Sequence, residues 1–216
     1  MTLPRRQPRA SQSPSGVTGI HRYFAAGEGR QVVKVLPGGV YVSSSDEDLV
    51  TVVGSCVAVC IHDATAGVGG MNHFMLPEDY APADATRDPK DAWRGEAQRF
   101  GCFAMEQLIN EILKGGGHKD RFAVKAFGGA NSLGSHCHVG AMNEHFIRHY
   151  LRSEGLTLAA SDFGGASGRK IKFCPGTGQA FLWRPAAAQL PALFESERRY
   201  RESLRAAPAG GEVELF

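Results

Sequence analysis

The chain has 216 residues, of which 43% are hydrophobic and 21% charged, the profile of one ordinary globular domain with a sizeable core and room for tails. A formal net charge of +2 excludes nucleic-acid binding by bulk electrostatics. No run approaches the ~18 apolar residues of a membrane-spanning helix, so membrane insertion is not expected.

The basic N-terminus "MTLPRRQPRASQSPSGVTG" lacks an apolar segment after its arginines and does not read as a signal peptide. Its Pro, Ser and Arg content predicts a disordered arm over residues 1–18. The five cysteines, Cys56, Cys60, Cys102, Cys137 and Cys174, are odd in number and form no CxxC pair. They suit free thiols in a reducing compartment better than a disulfide framework, and the expected location is the cytoplasm.

Alternating or β-branched runs then predict strands at Gln31–Leu36, Leu49–Val53, Val57–His62 and Val68–Met75. The segment "LPEDYAPADATRDPKD" reads as a long loop. After it, Trp93, Ala97, Phe100, Ala104, Leu108 and Ile112 recur at steps of three and four, one apolar stripe of a helix that "KGGG" stops. Arg121–Phe127 is the next strand, followed by a glycine-rich turn. A shorter helix near Asn143–Arg152 buries Phe146, Ile147, Tyr150 and Leu151, with Gly155 as its C-terminal cap. "LTLAASD", "KIKF" and "AFLWR" supply the last strands, the final two joined by a tight "PGTG" turn. About eight strands and two helices make an α+β domain over residues 19–185. Residues 186–216 form a C-terminal extension, in which "LPALFESERRYRESLRAA" can fold as an exposed amphipathic helix before a flexible end.

The chemistry concentrates in "TVVGSCVAVCIHDATAGVGGMNHFMLP", residues 51–77. If Asp63–Ala66 is a four-residue hairpin loop, Cys56 and His73 lie directly opposite one another, with Cβ atoms roughly 4.5–5.5 Å apart. An imidazole that close can withdraw the thiol proton and leave a nucleophilic thiolate. Ala58 and Cys60 share the Cys56 face, and their small size leaves room for an approaching group. Val57, Val59 and Ile61 point to the other side and are expected in the core. Gly54 and Ser55 permit a bend before the thiol, and their N–H groups, with that of Cys56, can meet a developing oxyanion. Thr51 can orient His73 as a third member. Asn72, next to His73, is a further candidate for positioning substrate. The competing reading is plain: a strand cysteine is commonly a small buried hydrophobe, and a one-residue slip would separate the pair.

The motifs "GSCVAVCIHD", "GGMNHFMLP", "KAFGGA", "VGAMN" and "DFGGASGRKIKF…TG", in this order, closely resemble the bacterial chemoreceptor glutamine deamidase family, CheD, from about Val32 to Trp183. The resemblance implies a cysteine hydrolase on an α/β sandwich of mixed β-sheet with about two flanking helices, similar to the catalytic domains of deamidating bacterial toxins. It implies Cys56 as nucleophile, His73 as general base and acid, Thr51 as third member, and no metal or organic cofactor. The implied substrates are glutamines on the cytoplasmic helices of methyl-accepting chemoreceptors, converted to glutamate. A CheC-type phosphatase is an implied second partner. Ala141 and Met142 depart from the charged residues usual there, while Gly140 and Asn143 are kept. An adaptor with little turnover is the alternative from another class. A cysteine protease or transglutaminase-like transferase would share the thioester step.

Other clusters carry weaker signals. His136, Cys137 and His138 lack a fourth-ligand pattern and read as loop residues. Cys60, Cys102 and Cys174 read as packing. Gly128–Ala130 lacks the Lys and Ser/Thr of a phosphate loop and reads as a tight turn near the active site. Asp162–Gly165 matches a kinase tripeptide without the rest of that signature.

Overall fold

The computed structural model describes residues 19–76, 96–131, 139–186 and 190–206. The histidine–cysteine cluster at 136–138, Trp93 and the two terminal arms lie outside them.

Among the described residues there are ten strands and three α-helices, the strands arranged as two five-stranded mixed sheets. One sheet has the order β1-β2-β4-β9-β10, with β1 Ile20–Ala25, β2 Arg30–Val35, β4 Glu47–Val53, β9 Arg169–Cys174 and β10 Gln179–Trp183. The other has the order β3-β6-β5-β7-β8, with β3 Val40–Ser43, β6 Val68–Phe74, β5 Val57–Asp63, β7 Ala123–Gly128 and β8 Leu158–Phe163. The pairs β2/β4 and β7/β8 are parallel and the rest antiparallel. The α+β sandwich expected from the sequence is therefore the observed class. The two strands missed are β1, whose side chains are mostly exposed, and β3, only four residues long.

Period-two alternation in β5 and β6 builds two cores at once. Ala58, Cys60 and Met71 point between the sheets, among Val33, Leu49, Val53, Phe127, Ile171 and Phe173. Val57, Val59, Ile61 and Phe74 point the other way, onto helices α1 (Glu96–Lys114) and α2 (Val139–Ser153). The face carrying Ala58 and Cys60 is thus sandwich interior, not open space for an approaching group; the small side chains let the two sheets close up.

Helix α1 buries Met105, Leu108, Ile109 and Ile112, whereas Phe100 is 39% exposed. The expected stripe holds at Leu108 and Ile112, with Ala104 packed against the same core, and departs at Phe100, beside which Gly101 faces α2. A Cβ there would lie 2.4 Å from the Phe146 ring, so only glycine permits the helices to approach this closely. Helix α2 buries the four expected side chains but starts at Val139, four residues before the expected Asn143. At its end Leu156 N–H donates to the Leu151 carbonyl and Gly155 has φ +67, a left-handed cap.

The β5–β6 turn corrects the expected register. Strand pairing continues to Asp63 and Val68, so the loop is residues 64–67. The Asp63 carboxylate accepts the N–H groups of Thr65 and Ala66 and is held by Arg121, and Gly67 closes the turn at φ +63. His73 therefore lies opposite Ala58, not Cys56. The displacement is by two residues, so every side chain keeps its expected face.

Asn143, fully buried, couples three elements. Its Oδ1 accepts Leu76 N–H at 2.8 Å, and its Nδ2 donates to the Ser55 carbonyl at 2.8 Å. Replacing it with alanine orphans two buried backbone groups. We expect Asn143→Ala to cost roughly 2–5 kcal/mol in chemical denaturation; a loss well under 1 kcal/mol would contradict this role.

Candidate active site

Strand β4 belongs to one sheet and β5 to the other, so residues 54–56 cross the sandwich. Their carbonyls are all tied down on one side. Gly54 accepts Ala130 N–H at 2.7 Å, Ser55 accepts Asn143, and Cys56 accepts Gly129 N–H at 2.9 Å. The glycine-rich turn does this by close approach. Gly128 has φ +130, and a Cβ on it would lie 2.0 Å from the Cys56 carbonyl oxygen. A Cβ on Gly140 would likewise strike the Ala130 carbonyl. Buried Arg169 donates to Asp162 and to the Gly164 carbonyl, and Gly165 accepts Asn131 N–H, so the "DFGG" segment braces the same turn.

With the carbonyls fixed outward, the three N–H groups converge on the opposite side. They meet a carboxylate that the sequence reading did not place there, that of Glu197 on helix α3 (Leu190–Ala206). Gly54 N–H and Cys56 N–H donate to Oε1 at 2.6 and 3.2 Å. Ser55 donates to Oε2 from its N–H at 3.0 Å and from Oγ at 2.9 Å. A Cβ on Gly54 would lie 2.8 Å from Oε2, so the missing side chain makes room for the carboxylate. Helix α3 is therefore docked, not free in solvent as expected. The sequence did carry one signal: Glu197 falls four residues after Leu193 and three before Tyr200, on the apolar stripe of an otherwise charged helix.

His73 and Cys56 sit beside this carboxylate. The Cys56 sulfur, one His73 ring nitrogen and a Glu197 oxygen all lie within 4.8 Å of one another. His73 Nδ1 is 2.8 Å from Thr51 Oγ1, and that hydroxyl is 2.7 Å from the Val35 carbonyl. The carbonyl can only accept, so the hydroxyl spends its proton there and Nδ1–H must be the donor to Thr51. The tautomer follows: Nε2 carries the lone pair, and it has no hydrogen-bond partner in the resting site. The backbone of His73 is clamped as well, by Gly38 N–H to its carbonyl and by its own N–H to Gly39.

Electrostatics keep this pair uncharged at rest. Burial pushes the Cys56 thiol well above its ordinary value, and the nearby Glu197 carboxylate adds to the effect. Burial also pulls His73 down to about 4, against the opposing pull of Glu197. A neutral thiol thus faces a neutral imidazole whose free nitrogen is ready to accept a proton.

Of the residues singled out from the sequence, Thr51, Gly54, Ser55, Cys56 and His73 are brought together. Asn72 is not. It points to the helix side, where Oδ1 accepts Val59 N–H and Nδ2 donates to the Ala104 carbonyl. Cys60 is buried between the sheets, and Cys174 donates to Asp48. Cys56, His73 and Glu197 are close enough to share a metal ion. However, four donors already take the four lone-pair positions of the carboxylate, and converging N–H groups favour an anion.

A family model described as CheD chemotactic sensory transduction matches residues 75–184. A probable chemoreceptor glutamine deamidase CheD of Vibrio vulnificus (strain YJ016) is 43% identical over 196 residues, 90% of this chain and 91% of the relative. One of Saccharophagus degradans is 42% identical over 203 residues, 93% of this chain and 92% of its own length. One of Dechloromonas aromatica is 40% identical over 198 residues, 91% and 94% of the two chains. On this likeness the chain belongs to the CheD family.

Proposed function

We propose that the chain is a protein-glutamine deamidase that converts glutamine side chains of chemoreceptors to glutamate, working in the cytoplasm. The observation that carries the reading is the placing of a thiol and a correctly tautomerised imidazole beside three converging N–H donors. Among the described residues no helix is long and apolar enough to cross a membrane.

In this reading the carboxamide oxygen takes the Oε1 position, between the N–H groups of Gly54 and Cys56. Cys56 Sγ attacks the carboxamide carbon as its proton passes to His73 Nε2. The backbone donors stabilise the oxyanion, and the imidazolium gives its proton to departing ammonia. Nε2 then deprotonates a water that attacks the thioester, leaving a glutamate and restoring the thiol. Glutamine and water are consumed, and glutamate and ammonia are formed. Thr51 is a positioning residue: it touches no reacting atom but fixes which nitrogen of His73 faces the sulfur.

Site depth supports a side-chain amide over a backbone amide. The donors are reached end-on from the α3 backbone by the slender side chain of Glu197. A glutamine has that length and ends in a primary carboxamide; a peptide bond cannot enter so deeply without its flanking residues. This separates the proposal from a cysteine protease. A CheC-type phosphatase is proposed as a second partner on family resemblance alone. The adaptor reading gains nothing from the site, since docking has no use for a fixed imidazole tautomer.

Ammonia release and mass mapping on a chemoreceptor cytoplasmic fragment test the assignment. Cys56→Ala should lower turnover by at least about a thousandfold, and undiminished release would remove Cys56 from the chemistry. Thr51→Val should lower kcat/KM about a hundredfold by freeing the imidazole orientation. Thr51→Ser, which restores the hydroxyl, should recover most of that loss. Equal rates in Thr51→Val and Thr51→Ser would show that the hydroxyl is not what matters.

A further inference from the structure

Glu197 is a fully buried carboxylate held by three backbone N–H groups and one hydroxyl. Burying a charge to fasten a helix is a costly choice where a leucine would serve. It is tolerable here because residues 54–56 supply donors already arranged for negative charge. The fit goes beyond the carboxylate. Leu193 is buried, and Tyr200 and Leu204 pack against the inter-sheet core. Tyr200 lies over Gly38, where a Cβ would come within 2.9 Å of its ring. That turn is the one whose backbone clamps His73. The seated face of α3 is thus an apolar residue four before Glu197 and others three and seven after it, one side of a single helix.

The opposite face is independent of the domain. Arg198 pairs with Glu195 and Glu202, and Arg199 pairs with Glu195, all at one-turn spacing. Such pairs support the helix whether or not it is docked.

We propose, resting on the deamidase reading, that α3 is an intramolecular product mimic seated on the surface that docks the substrate helix. Glu197 stands where a newly formed glutamate would stand. The partner that fits is an α-helix presenting a glutamine with apolar side chains four residues before it and three and seven after it. Because Cys56 and Glu197 are fully buried and His73 is 1% exposed, no external glutamine reaches the sulfur until α3 lifts. The helix is therefore a strap that competes with substrate for one groove. While docked it also keeps Cys56 a thiol, through burial and through the Glu197 charge. Receptor helices must displace it, and a high local density of them favours displacement by mass action.

The test uses the full chain and two variants that loosen α3 from different points, Glu197→Ala and Tyr200→Ala. Native alkylation by iodoacetamide is followed at Cys56 and Cys60 by peptide mass. Ammonia release on a chemoreceptor cytoplasmic fragment is measured in parallel. Both variants should alkylate Cys56 about tenfold faster or more, leave buried Cys60 unreactive, and raise kcat/KM on the fragment. Unchanged Cys56 alkylation in both would overturn the strap. So would Cys56 and Cys60 becoming reactive together in both, since α3 would then be an integral part of the fold. The two proposals fail separately: receptor conversion by wild type with unaltered variants removes the strap alone, and faster Cys56 alkylation without any ammonia removes the deamidase alone.

Discussion

Three consecutive peptide groups, at residues 54–56, set the rest of the site. Each carbonyl is tied outward, to Ala130, Asn143 or Gly129, so each N–H is forced inward. Backbone donors held this way need no reorganisation when negative charge appears among them, which is the physical basis of oxyanion stabilisation. Much of the fold serves that arrangement. Gly128 and Gly140 allow backbone to meet backbone, Asn143 ties the crossing segment to α2, and Arg169 fixes the loop behind the glycine-rich turn. The Cys56 thiol is carried on the same three residues, so thiol and donors cannot drift apart.

The imidazole comes from the second half of the hairpin, and its orientation from the other sheet. Thr51 on β4 reaches across to His73 on β6, and Val35 on β2 sets the direction of the threonine hydroxyl. The set of Thr51, Cys56 and His73 thus holds its geometry only while the two sheets remain packed. The filling of the space between them by Val33, Leu49, Met71, Ile171 and Phe173 is accordingly a requirement for chemistry as well as for stability.

How much of this was legible beforehand follows the range of each interaction. The face shared by Cys56 and His73 could be read from period-two alternation, and it survived a hairpin register displaced by two residues. The exact partner of His73 could not be read, because it depends on how the Asp63 carboxylate and Gly67 close the turn. Asn72 sits beside His73 in sequence, which suggests a shared function. Strand pleating sends it to the other face, where it ties β5 to α1. Phe100 fits a helical stripe by spacing, yet its neighbour Gly101 is the residue that meets Phe146 of α2, while Phe100 is left partly exposed. Helix α3 was legible as an amphipathic helix, but its docking rests on contacts 141 to 143 residues apart in the chain, beyond the reach of local pattern. A lone glutamate on its apolar stripe was the one local mark of that docking.

The most direct measurement replaces Glu197 with glutamine and follows residue 197 by mass spectrometry, with and without Cys56→Ala. The carboxamide oxygen would then sit between the Gly54 and Cys56 N–H groups with its nitrogen toward the Ser55 hydroxyl, which can turn to accept, beside the thiol and imidazole and with no receptor in the experiment. The account predicts that Glu197→Gln reverts to glutamate within the folded chain, with release of ammonia, and that the Cys56→Ala background keeps the glutamine intact. Glutamine persisting equally in both backgrounds would contradict it.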